Sequence, residues 1–173
     1  MKEFAELLRL VDECLPRRPD GTPDTEHEKS DVVHDLLAFL AEQMIELNKE
    51  KQTEAKGFLA WLERQIGAKI DDLASKTKLR AYYDHDFQSL VAALRQNSRN
   101  LKTEMTRAVE EDIEHEFLKS MEKLGPLQDK IAATDRLIDL IVYRLYGLTE
   151  EEAAIVEGRT PDQFPAEAQG RRE

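Results

Sequence analysis

The chain has one cysteine in 173 residues, so it holds no internal disulfide, and a lone thiol fits a reducing compartment. Cys14 follows Leu10 and Val11 in an amphipathic stretch, where a small buried hydrophobe is its simplest role. Glycine and proline are scarce, at seven and six residues, and aromatics make up only 6%. A sheet protein needs turn residues and alternating apolar positions, and no stretch here alternates convincingly at period two. Nor does any segment approach the roughly 20 apolar residues that cross a bilayer. The opening Met-Lys-Glu-Phe-Ala-Glu carries acids where a signal peptide would carry bases, so we expect a cytoplasmic protein with no membrane partner.

What is present suits long helices. Charged residues make up 35% of the chain, and Ala, Leu, Glu, Lys, Arg and Gln are the residues that cost least in a helix. The formal net charge of −11 argues against a main grip on DNA, because phosphate contacts need clustered Lys and Arg. Lys76, Lys78 and Arg80, following Lys69, form the main basic run, read as a solvated helix face.

Phe4, Leu7, Leu8, Val11 and Leu15 predict a first helix over residues 1–15 that Pro16 ends. Residues 16–29 read as a mobile Pro-rich loop, with Ser30 or Asp31 capping the next helix. Val33, Leu37, Leu40, Met44 and Leu47 keep heptad spacing, and the helix is expected to continue to Ile66, with a kink at Gly57. Ile70, Leu73, Leu79, Tyr82 and Tyr83 suggest a short helix and turn, and Phe87, Leu90, Val91 and Leu94 another. A helix is expected from Thr103, with Gly125-Pro126 kinking or splitting it. The fold class is therefore all-α: an antiparallel, coiled-coil-like hairpin of two long helices within a 30–158 domain. Short helices bridge its ends, and a disordered tail follows over 159–173.

The last part of this domain is the most legible. Leu127, Ile131, Thr134, Ile138, Ile141, Leu145 and Leu148 alternate steps of four and three, which marks a helix with one apolar seam. Gly147 supplies a left-handed helix stop, and Thr149 with Glu152 forms a capping box for a short terminal helix. Tyr143 and Tyr146 flank the seam, where their rings would bury while the hydroxyls reach a partner. Trp61, Tyr82 and Tyr83 read the same way, as core aromatics that could also pack against another domain.

The stretch Thr134-Asp-Arg-Leu-Ile-Asp-Leu-Ile-Val-Tyr-Arg-Leu-Tyr-Gly-Leu-Thr-Glu-Glu-Glu-Ala-Ala-Ile-Val-Glu-Gly158 resembles the C-terminal signature of large adenine-specific DNA methylases. These are the type II restriction–modification enzymes with a TaqI-like specificity region and the PglX-like methylases of BREX phage-defence systems. A second stretch, Phe58 to Tyr83, is similar to the segment preceding that signature. Together the two blocks hold 51 of the 173 residues. The resemblance implies a non-catalytic C-terminal scaffold or spacer supporting the target-recognition region of such an enzyme. It implies the methylase or specificity portion as partner, and DNA reached only indirectly.

The chain carries no catalytic motif of that family. It lacks the glycine-rich turn after a strand that cradles S-adenosylmethionine and the Asn/Asp-Pro-Pro-Tyr/Phe tetrapeptide that holds a flipped base. S-adenosylmethionine and Mg²⁺ are thus implied for a parent enzyme only, and neither a catalytic nor a metal residue is assigned here. Pro23-Asp24 with Glu54-Ala55-Lys56 matches a loose metal-nuclease pattern, but a loop and a helix replace the adjacent strands such a site needs. Asp84-His85-Asp86, and His27 with His34, lack partners at metal spacing and read as exposed or capping residues. Two further readings remain open: a stand-alone helical protein that homodimerises through its seams, and an acidic DNA mimic. The mixed charges weigh against the mimic.

Overall fold

In the computed structural model, which describes residues 4–158, every regular element is helical. The α-helices are α1 (Ala5–Cys14), α2 (Ser30–Ile66), α3 (Lys76–Arg80), α4 (Phe87–Gln96), α5 (Arg107–Tyr146) and α6 (Glu150–Val156). Single 3-10 turns occupy Ile70–Asp72, Tyr82–Asp84 and Ser98–Asn100. The all-α fold with two long antiparallel helices is thus as the heptad spacing predicts. The tail expected over 159–173 lies outside the described residues.

The chain divides into two units, residues 43–133 and the pair of segments 4–42 and 134–158. In the first unit, Ala55, Phe58, Leu62 and Ile66 of α2 step by three and four, as do Ile113, Phe117, Ser120 and Leu124 of α5. Glu54 of α2 pairs with Lys123 of α5 at 2.9 Å, and the Phe58 and Phe117 rings meet at 6.3 Å, which fixes the antiparallel sense. Leu79 from α3 and Leu90 and Leu94 from α4 complete this core. Leu62, Ile66, Leu79, Leu94, Ile113 and Leu124 have no exposed surface, and burying each contributes about 1.5–3 kcal/mol. In the second unit Val11 of α1, Val33 and Leu40 of α2, and Leu137 and Ile141 of α5 form a smaller cluster.

Two local expectations are corrected. Of the kink or split expected at Gly125-Pro126 the split does not occur: Pro126 lies inside α5, which is continuous from Arg107 to Tyr146. Proline removes one backbone hydrogen bond, but Leu124 and Leu127 on either side pack on the same core and hold the helix across it. α5 also starts at Arg107, not Thr103. The Lys102 and Thr103 amides donate to the Ile66 carbonyl at 3.1 and 3.3 Å, so this segment is tied to the end of α2 before helix begins. Residues 16–29 are a loop as expected, and backbone bonds close it on itself. The Arg18 amide donates to Thr22 O at 2.8 Å, the Asp24 amide to Pro16 O at 2.9 Å, and the Lys29 amide to Cys14 O at 2.7 Å. Cys14 itself is only half-buried at the edge of the smaller cluster.

Candidate functional site

The signature residues of α5 and α6 occupy defined places. Leu137 and Ile141 are 6% and 0% exposed, and Ile138 and Leu145 pack half-buried against the same cluster. Arg144 bonds Asp12 of α1 through Nε at 2.9 Å and its own helix through the Leu140 carbonyl at 3.1 Å. After Tyr146 the helix closes in a Schellman motif. The Leu148 amide donates to Tyr143 O at 2.9 Å and the Gly147 amide to Arg144 O at 3.1 Å. Gly147 has φ +70°, and a Cβ there would run into the Arg17 guanidinium. That guanidinium donates to the Arg144 carbonyl at 3.3 Å and the Gly21 carbonyl at 3.0 Å, so an arginine from the turn caps the end of α5.

The capping box forms as its spacing predicts. The Thr149 amide donates to Glu152 Oε2 at 2.8 Å and the Glu152 amide to Thr149 Oγ1 at 3.2 Å. The Thr149 amide, and its hydroxyl donating to the same Oε2 at 3.1 Å, hold the Glu152 carboxyl below its ordinary range. Ala154 packs inward at 1% exposure, and Arg136 of α5 pairs with Glu157 just past α6. Tyr143 is half-buried, and loss of water together with Asp139 and Glu157 nearby raises its phenol. Tyr146 departs from the expectation of a buried ring, being 76% exposed. It lies five residues past Ile141, about 140° around the helix from the seam.

In residues 43–133 the expected aromatics do meet. Tyr82 is 1% exposed, with its ring 4.2 Å from Phe58 and 5.5 Å from Tyr83, and Trp61 stacks on Phe58 at 6.1 Å. The Tyr82 hydroxyl lies 2.6 Å from Ser120 Oγ, and burial pushes the phenol up to about 12. Sequence reasoning missed Ser120 and Asn97, the two buried polar residues among those described. Asn97 accepts from the Ala74 amide at 2.7 Å and donates to the Ala74 and Ala93 carbonyls at 3.0 and 2.8 Å. It staples the 70–76 segment to α4, a role that an asparagine at a helix end does not announce.

The residues weighed for chemistry have structural duties. Asp86 caps α4 by accepting from the Ser89 amide at 2.8 Å, His27 pairs with Asp24 at 2.9 Å, and Glu54 with Lys123. His34 and His85 are exposed. Among the described residues no three His, Cys, Asp or Glu side chains come together as a metal site. No strand is present among the described residues. Likewise no helix among them is long and apolar enough to cross a membrane.

Residues 30–142 match the family model of DUF8810, a domain of unknown function, from the start of α2 to near the end of α5. No curated protein and no solved structure matches the chain. Because the matched region takes in well over half of the 173 residues, this chain belongs to the DUF8810 family.

Proposed function

We propose that the chain is a non-catalytic helical scaffold of a restriction–modification or BREX-type adenine-N6 DNA methyltransferase, supporting its target-recognition region. One observation carries this reading. The Thr134–Gly158 signature is spent on a packed seam, a helix stop and a capped helix, yet it leaves the Tyr146 ring 76% exposed. A large aromatic held at a rigid helix end is a low-entropy anchor of the kind that dominates protein interfaces. Its partner is the methylase or specificity portion of the enzyme, which supplies S-adenosylmethionine chemistry, Mg²⁺ and sequence recognition. Isolation of the tagged chain from its source cell, with identification of what accompanies it, tests the reading. Recovery of an adenine methylase or specificity subunit supports it, and repeated isolation without either rejects it.

A stand-alone interaction protein is the second reading, favoured by Ile155 and Val156, which are 68% and 65% exposed on α6.

A further inference from the structure

The charge of this chain is unevenly placed. Residues 43–133 hold 15 basic and 16 acidic residues, whereas the remainder holds 10 and 20. Within 43–133 a groove of about 450 Å³ lies between α2 and the α3 segment. Lys51, Lys56 and Arg80 rim it, Ala55 and half-buried Leu59 form its floor, and Tyr83 stands at its side. None of its lining side chains is a carboxylate. Arg80 pairs with Asp71, but Lys51 and Lys56 have no carboxylate partner among the described residues.

An apolar floor with a cationic rim calls for an anionic, amphipathic occupant. A nucleic acid fits poorly. The Lys51 ammonium sits 4.3 Å over the Tyr83 ring, which removes that face as a stacking platform for a base. A short acidic helix needs no such platform and brings its carboxylates to the cationic rim.

We propose that this groove receives α6 of a second copy of the chain. Exposed Glu151 and Ile155 are four residues apart and so share one face of α6, with Val156 beside them. Lys51, Ala55 and Leu59 also step by four along α2. Ile155 seated over the Ala55–Leu59 floor sets Glu151, one turn or about 6 Å away, level with Lys51. Glu152 stays engaged in its capping box and Glu157 with Arg136, so on α6 the contact is left to Glu151, Ile155 and Val156. The same patch need not face itself. Each copy carries both an α6 and a groove, so the α6 of one copy seats in the groove of another. The proposal stands apart from the methylase reading and survives or fails without it.

Sedimentation velocity of the purified full chain over a concentration series tests it. The expected result is self-association that weakens with salt. Lys51→Glu with Lys56→Glu weakens it about tenfold or more, and Ile155→Asp does the same. Mixing those two variants restores association, because one brings an intact α6 and the other an intact groove. Circular dichroism of each variant checks folding, and Lys51→Gln with Lys56→Gln gives a milder pair should the glutamates disturb α2. A monomer at every concentration overturns the proposal. So does self-association indifferent to both sets of changes, or a groove that binds an oligonucleotide through its lysines while Ile155→Asp leaves association intact.

Discussion

The Tyr82 hydroxyl and Ser120 Oγ stand 2.6 Å apart within the larger core, tying the 3-10 turn after α3 to the middle of α5. Both residues are almost completely buried, at 1% and 2% exposure, and each satisfies the other. Removing one partner strands the other, so Tyr82→Phe and Ser120→Ala should each destabilise the fold by about 1–3 kcal/mol. The double variant should cost less than the two together, because no buried hydroxyl is then left unpaired. Urea denaturation of the four proteins in a double-mutant cycle measures that coupling.

Two glycines in helical contexts should respond in opposite directions. Gly147→Ala places a Cβ at φ +70° against the Arg17 guanidinium and should destabilise by about 1–2 kcal/mol. Gly57→Ala adds a methyl inside α2 with nothing within 4 Å and should stabilise by about 0.5–1 kcal/mol. Thermal melts of both variants beside the parent give the signs directly.

Stability should fall at both ends of the pH scale. Glu63, Asp86 and Glu152 have carboxyl pKa values held below their ordinary 4.5, 3.8 and 4.5 by hydrogen bonds in the fold. Their contribution is present above those ordinary values and is lost as pH drops through the lowered ones. Tyr82 behaves in the opposite sense. Its phenol is raised from 10.0 to about 12, so its contribution is full below pH 10 and is lost as pH climbs toward 12. Unfolding midpoints against pH test this, with Tyr82→Phe expected to flatten the alkaline limb alone.

Much of the helical plan was legible because its signals are local. Heptad spacing marks α2 and α5, and Gly147, Thr149 and Glu152 act on neighbours within five residues. Pro126 shows the limit of such reading. Its local cost is real, yet packing by Leu124 and Leu127 overrides it. Tyr146 shows another, because the turn of the helix beyond Ile141 carries it away from the seam. The rest depends on distance along the chain. Asn97 reaches Ala74, Ser120 reaches Tyr82 and Arg17 reaches Arg144, and no sequence pattern pairs them. The basic groove is of this kind too. Lys76 to Arg80 stands out in sequence, but only folding sets Arg80 beside Lys51 and Lys56.

If the fold is the methylase scaffold proposed above, it meets the enzyme at the exposed end of α5, where Tyr146 stands. A photoreactive amino acid placed at position 146 in the full chain, irradiated in the source cell, tests that contact most directly. The expected result is a covalent adduct with an adenine methylase or its specificity portion, absent when the reactive group is moved to the buried side at position 141. Adducts with no such protein, or equal adducts from a reactive group anywhere on the surface, would contradict it.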